Sequence, residues 1–243
     1  MPSDHYIPNR EAFRKTLAAA AEWARTNDDL VTIGVKPDRP ETGYGYLKTG
    51  VELGKASGES CVRVDAFVEK PNLARAQEFL KSGNYFWNGG MFLWKAETIL
   101  NAFDSFMPEM KKAWTEAKGD LATAYPKMTA TSIDYGIMEK AKNVVSFALD
   151  AGWDDLGSWT SLESLADVLE ARAEAGIVTG GDVLSVDSKG NIVDAPGKLV
   201  TLLGINDLIV VHHGDSILVA RKERAQDIKL IVDQVKAKFP EKA

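Results

Sequence analysis

The segment Trp153-Asp154-Asp155-Leu156-Gly157-Ser158-Trp159 concentrates more potential chemistry than any other stretch of the chain. A β-branched run, Val144 to Leu149, precedes it, and a helical pattern begins near Ser158. Carboxylates at a strand exit, followed by a glycine turn, suit a hard cation and a phosphorylated ligand. Asp4, in Pro2-Ser3-Asp4-His5, is a second carboxylate of this kind. Magnesium takes one or two carboxylates and completes its shell with phosphate oxygens and water. Asp4 and Asp155 are thus metal candidates. Their spacing gives no evidence that they meet, and residue type alone leaves Asp154 and Asp155 in competition. Most aspartates beside turns merely cap or solvate.

Three further segments offer ligand chemistry. Glu69-Lys70-Pro71 ends a strand and precedes a helix, where ligands of open α/β sheets gather. Lys70 supplies a compact cation for a phosphate, and Glu69 accepts from sugar hydroxyls. The plain alternative is a solvated charge pair. Thr42-Gly43-Tyr44-Gly45-Tyr46 is too short for a dinucleotide fingerprint and lacks a following helix signal. Its glycines let backbone approach a ligand closely, or form an ordinary turn. Asn88-Gly89-Gly90 interrupts an aromatic extended segment, where glycine marks a bulge or a close approach. The Asn88 carboxamide both donates and accepts. Phe86, Trp87, Phe92 and Trp94 read as core. His212-His213 lies in a strand, so the rings point to opposite faces and make a poor chelate.

The elements that must position these residues follow from periodicity. Phe13, Leu17, Ala20, Ala21 and Ala24 predict a helix over 9–25. Strands are expected at Leu30 to Val35, Val62 to Val68 and Val144 to Leu149, with an extended run from Tyr85 to Trp94. Helices are expected from Asn72 to Gly83, at 96–103, 109–118 and 132–142, and from Ser158 to Ala175. This alternation predicts an α/β layer structure with a mostly parallel sheet. Beyond Gly176 short apolar stretches alternate with turns, which predicts a small all-β unit. A last helix carries Ala225, Ile228, Ile231, Val232 and Val235. The expected domains are 1–175 and 176–243.

Composition narrows the function classes. With 243 residues and 45 % apolar content, a sizeable core can be buried. A net charge of −6 argues against a nucleic-acid partner, which calls for a basic face. The single cysteine, Cys61, excludes an intramolecular disulfide and a cysteine-rich zinc site. No segment approaches the ~20 apolar residues that span a bilayer, and the polar start carries no signal-peptide core, so the expectation is no membrane partner and a cytoplasmic location.

The ordered set Pro-Ser-Asp-His, Gly-Tyr-Gly, Phe67-Val68-Glu69-Lys70-Pro71, Trp87-Asn88-Gly89-Gly90-Met91-Phe92, Ser132-Ile133-Asp134-Tyr135 and Trp153-Asp154-Asp155-Leu156-Gly157 resembles the mannose-1-phosphate guanylyltransferases, a family of sugar-1-phosphate nucleotidyltransferases. The resemblance implies a partial Rossmann-like nucleotidyltransferase sheet with flanking helices. A small left-handed β-helix-like unit and a terminal helix would follow. It implies GTP and mannose 1-phosphate as substrates, GDP-mannose and pyrophosphate as products, and Mg2+ as cofactor. Asp4 and Asp155 would hold the metal, the acidic position two before the glycine selecting Asp155 over Asp154. Tyr44, Gly45, Glu69 and Asn88 would contact the sugar, and Lys70 its phosphate. Where the family has Ser, this chain has Gly89. A homodimer is expected through the apolar C-terminal strands. The family's Gly-rich nucleotide loop has no counterpart before Asp4. An alternative expectation is therefore an inactive fragment, or an assembly subunit, that binds sugar phosphate without GTP.

Overall fold

A computed structural model describes residues 1–242, which form two compact units. Residues 1–3 and 7–153 make the first; residues 4–6 join the chain from Asp154 onward in the second.

In the first unit, helix α1 (Arg10–Thr26) is opened by the Asn9 side chain, which accepts from Ala12 N at 3.0 Å. Its Thr16, Ala19, Ala20 and Ala24 face inward, and small side chains let it lie close across the strands beneath. Strand β1 (Leu30–Val35) is buried at every position. Strands β2 (Tyr46–Ala56) and β3 (Glu59–Val68) form a long hairpin. Its turn is Ser57-Gly58, with φ of 47° and 82°, the positive pair that matches the twist of paired strands. Helix α2 (Leu73–Ser82) starts at Asn72, whose side chain accepts from Arg75 N, and stops at Gly83 in the left-handed region. Strand β4 (Tyr85–Leu93), helices α3 (Ala96–Phe106), α4 (Pro108–Glu116) and α5 (Leu121–Ala124), a π-helical turn at Asp134–Met138, and strand β5 (Val144–Leu149) complete the unit.

The strands pair in the order β1-β4-β2-β3-β5, and β5 returns to β1, so the circuit closes. Only the β1–β5 pairing is parallel, running from Leu30↔Val144 to Val35↔Leu149; the other four are antiparallel. The sheet is therefore mixed, not mostly parallel as the alternation of elements suggested. Part of the difference lies in β2, a strand that the pattern from Thr42 to Ala56 did not announce and that pairs antiparallel with both β3 and β4; β1–β4 and β3–β5 are antiparallel as well. Val31, Ile33 and Val35 meet Ala19, Ala20 and Phe147 in one core, while Leu30 packs with Ile137, Met138 and Val144 in another. Each such fully buried aliphatic side chain contributes about 1.5–3 kcal/mol.

The second unit has little helix where one was expected between Ser158 and Ala175. A 3-10 turn (Trp159–Ser161) runs into the one-turn helix α6 (Leu162–Leu165), and the chain then enters strand β6 (Arg172–Ala173). Trp159, Leu162, Ala166 and Ala171 pack with Ile177, Ile192 and Ile209, so this segment shares its core with the strands after it. Strands β7 (Gly176–Val186), β8 (Asn191–Leu203), β9 (Leu208–His213) and β10 (Ser216–Arg221) follow. β7–β8 and β8–β9 are parallel, while β9–β10 is an antiparallel hairpin. Ala195-Pro196-Gly197 is a corner inside the continuous β8, where the register against β7 shifts. Asn191, 1 % exposed, holds the turns together by donating to Ile205 O at 3.1 Å and accepting from Leu208 N at 2.9 Å. Helix α7 (Ile228–Lys238) ends the described chain apart from a short turn.

Candidate active site

In the first unit, a bulge in β4 sets the geometry. Thr32 faces Phe92 and Gly34 faces Asn88, so two steps along β1 match four along β4. Gly90 sits at φ 63° in the bulge, and a Cβ on Gly89 would stand 2.8 Å from the Ile33 carbonyl oxygen. Glycine at 89, where the resemblance expected serine, is thus demanded by backbone close to backbone. The bulge turns Asn88 toward its partners. Asn88 N donates to Gly45 O at 2.8 Å, which ties the Asn-Gly-Gly and Gly-Tyr-Gly segments together. The Asn88 side chain donates from Nδ2 to Asp134 Oδ1 at 3.0 Å. Its Oδ1 accepts from Thr32 Oγ1 and from Gly90 N, both at 3.3 Å.

Glu69 closes the same group. Its Oε2 lies 2.5 Å from the position of a Cβ on Gly45, and its Oε1 accepts from Lys70 Nζ at 2.8 Å. Lys70 adopts φ 44°, a rare conformation for a side chain other than glycine, and strain of this kind gathers at functional sites. The hydrogen bond to Glu69 raises the Lys70 ammonium above its ordinary range, with smaller contributions from Tyr135 and Asp134. Lys70 is therefore a fixed cation at neutral pH. The Glu139 carboxyl is also raised, by burial and then by the charges of Glu69 and Asp134. The group is a cradle of acceptors, one amide and one ammonium around a bare glycine. Such a set suits a hydroxylated ligand that carries an anion.

The Tyr44 ring lies elsewhere. It is buried edge-on against Trp87 and Trp153, with centroids 5.2 and 5.3 Å away. Glu41 Oε1 accepts from Thr42 N and Gly43 N at 2.9 and 3.0 Å, and holds the turn that leads into Gly45. Tyr44 thus supports the segment through its ring.

Asp4 and Asp155 both belong to the second unit. Tyr6 and Asp154 form an antiparallel bridge, with Tyr6 N donating to Asp154 O at 2.9 Å and Asp154 N to Tyr6 O at 3.0 Å. This sets residues 4–6 beside 154–156 and brings the two carboxylates onto adjacent stretches. Asp154 is 2 % exposed; its Oδ1 accepts from Leu156 N at 2.8 Å and its Oδ2 from Ser164 Oγ at 3.1 Å. Asp155 is half-buried and accepts from Gly157 N at 2.9 Å. Leu156 beside them is left-handed at φ 54°. The two adjacent aspartates therefore differ: Asp154 is buried and braces the turn, and Asp155 is half-buried on the stretch beside residues 4–6. A pair of carboxylates fits a cation that fills its other positions with phosphate and water. Among the described residues no group of three or more His, Cys, Asp and Glu side chains is arranged to hold a metal.

Gly45, Glu69, Lys70 and Asn88 converge in the first unit, while Asp4 and Asp155 lie on adjacent stretches of the second. Thr32, Asp134 and Glu139 were not singled out by residue type. The Ser132-Ile133-Asp134-Tyr135 motif was the available signal for Asp134, and the π-helical turn that begins there is a frequent mark of functional positions.

The nucleotidyl transferase family matches residues 1–172, and the MannoseP isomerase/GMP-like beta-helix domain matches residues 181–235. The chain is 40 % identical to the xanthan biosynthesis protein XanB of Xanthomonas campestris pv. campestris, over 98 % of this chain and 50 % of that protein. It is 37 % identical to the mannose-1-phosphate guanylyltransferase of Escherichia coli (strain K12), over 98 % of this chain and 51 % of that protein. The chain spans about half the length of the curated relatives it matches. The crystal structure named mannose-1-phosphate geranyltransferase, from Thermus thermophilus, superposes with a TM-score of 0.81 at 33 % identity, covering 97 % of this chain and 68 % of that one. No helix among the described residues is long and apolar enough to cross a membrane. The mixed sheet and the β-helix-like strands that follow accord with these likenesses, and the chain belongs to the nucleotidyl transferase family.

Proposed function

We infer that the chain carries the sugar-phosphate machinery of a mannose-1-phosphate guanylyltransferase, which makes GDP-mannose and pyrophosphate from GTP and mannose 1-phosphate. The observation that supports this most directly is the cradle of Glu69, Lys70 and Asn88 around Gly45. Likeness to a named mannose-1-phosphate guanylyltransferase over 98 % of the chain supports it independently.

The chemistry is one in-line displacement. A phosphate oxygen of mannose 1-phosphate forms a bond to the α-phosphorus of GTP, and the bond from that phosphorus to the β-phosphate bridging oxygen breaks. Pyrophosphate leaves with the electron pair, and no covalent enzyme intermediate is needed. Such transfers depend on positioning and on stabilising charge. Glu69 accepts from a mannose hydroxyl, and Asn88 fixes the sugar ring. Lys70, held charged by Glu69, pairs with the attacking phosphate. Asp4 and Asp155 are the residues that would hold magnesium, which when bound would neutralise phosphate charge. In this reading the protein works in the cytoplasm as a homodimer, and the exposed Leu199, Leu203 and Ile217 support self-association.

Pyrophosphate release by the 243-residue chain with GTP, mannose 1-phosphate and magnesium tests the reading. Release that requires both sugar phosphate and metal is expected. A folded chain that neither releases pyrophosphate nor binds mannose 1-phosphate would overturn it.

A further inference from the structure

We propose that Asp134 is a positioning residue that makes the Asn88 carboxamide a donor, and not an acceptor, toward a bound sugar hydroxyl. The proposal rests on the sugar-phosphate reading of the cradle.

A free asparagine side chain offers a ligand either end. Here the ends are not equivalent. An ionised carboxylate has no proton to give, so Asp134 Oδ1 accepts only from the nitrogen of Asn88, at 3.0 Å. That bond fixes which end of the carboxamide faces the π-helical turn. The other end is engaged as well. Asn88 Oδ1 receives both Thr32 Oγ1 and Gly90 N at 3.3 Å, which uses its two lone pairs. What remains for a ligand is the second Nδ2 proton.

A lone N–H selects an acceptor oxygen. A sugar hydroxyl that accepts from Asn88 keeps its own proton to donate, and the neighbouring group is a carboxylate. The place of a Cβ on Gly45 is 2.5 Å from Glu69 Oε2 and 3.4 Å from Asn88 Cβ, so amide and carboxylate flank the same bare glycine. One hydroxyl that receives from Asn88 and gives to Glu69 satisfies both. Asp134 contributes to this polarity through Asn88, without touching the sugar.

Two experiments on the full chain test this. In 15N NMR of the ligand-free protein, the Asn88 side-chain amide is assigned by its loss in Asn88→Ala. One of its protons is expected downfield, shifting back strongly in Asp134→Ala and partly in Asp134→Asn, whose neutral oxygen is a weaker acceptor. An Asn88 amide unmoved by either substitution overturns the proposal; if Asp134→Ala does not fold, Asp134→Asn alone decides. In calorimetry with mannose 1-phosphate and its mono-deoxy analogues, one analogue should bind wild type about tenfold more weakly. That penalty should vanish in Asn88→Ala, and shrink both in Asp134→Ala and in Asp134→Asn, whose own amide can also donate and so no longer fixes which end of Asn88 faces it. A full penalty in a folded Asp134→Ala protein overturns the positioning role. Failure of wild type to bind mannose 1-phosphate would instead sink the sugar-phosphate reading, and the NMR result would still decide the orientation of Asn88.

Discussion

Glu69 Oε2 occupies the space beside Gly45 where any other residue would carry its Cβ, only 2.5 Å from that point. Gly45 has no positive φ, so its role is steric. Gly45→Ala should push the Glu69 carboxylate away while leaving the strand intact. We expect mannose 1-phosphate affinity to fall about tenfold, or ~1.4 kcal/mol. Calorimetry beside a melting curve separates this from general destabilisation. Unchanged affinity would detach Glu69 from the ligand.

The two adjacent aspartates should part company on substitution. Asp154→Ala removes a buried acceptor from Leu156 N and Ser164 Oγ and should lower stability by about 1.5–3 kcal/mol. Asp155→Ala loses one turn bond to Gly157 N, a cost of about 1 kcal/mol, but should abolish magnesium-dependent turnover. Urea unfolding and pyrophosphate release on both variants decide the matter. The reverse pattern would exchange their roles.

Glu139 gives a pH signature. Burial, then the charges of Glu69 and Asp134, raises its carboxyl above the unfolded value. The fold therefore binds this proton more tightly than the unfolded chain does. The resulting stabilisation is fully present below the ordinary carboxylate range and is lost as pH rises through the higher folded value. Glu139→Gln should consequently be slightly more stable than wild type at pH 7, by less than about 1 kcal/mol after solvent screening. Its advantage should disappear near about pH 4. An advantage that grows on acidification would contradict this.

Cys61 should be inert while the protein is folded. It is fully buried, and burial followed by the charge of Asp29 pushes its thiol up to about 12. The thiolate is the reactive form. A thiol reagent such as DTNB at about pH 8 should label no cysteine in native protein and one after denaturation. Rapid native labelling would show that β3 opens.

Local signals carried much of the fold. The Asn9 and Asn72 caps, the Gly83 stop and the short, mainly apolar run Leu30–Val35 were readable from neighbours alone, because capping and burial on both faces leave short-range marks. β2 was not, since Lys48 to Lys55 is held by cross-strand pairing to β3 and not by its own alternation. The helix expected after Ser158 failed for a similar reason: Ala166 and Ala171 are drawn into the core with Ile177 and Ile192, so tertiary packing overrides the helical spacing. In the site, Glu69 and Asn88 stood out by residue type and neighbouring glycines. Asp134 did not, because its significance lies in a bond to a residue 46 positions away. Asp154 and Asp155 were indistinguishable until burial separated them.

The Tyr6–Asp154 clasp has a consequence for biosynthesis. Residues 4–6 leave the ribosome long before the strand exit they pair with, yet they belong to the unit that begins at Asp154. The whole of the first unit can assemble while they wait, and its Asn9 N to Ala151 O bond, three residues from either side of the clasp, closes the long loop before the clasp forms. Asp4 and Asp155, proposed here to hold the metal, would thus come onto adjacent stretches only after the first unit has formed, so a nascent chain would acquire its sugar cradle first.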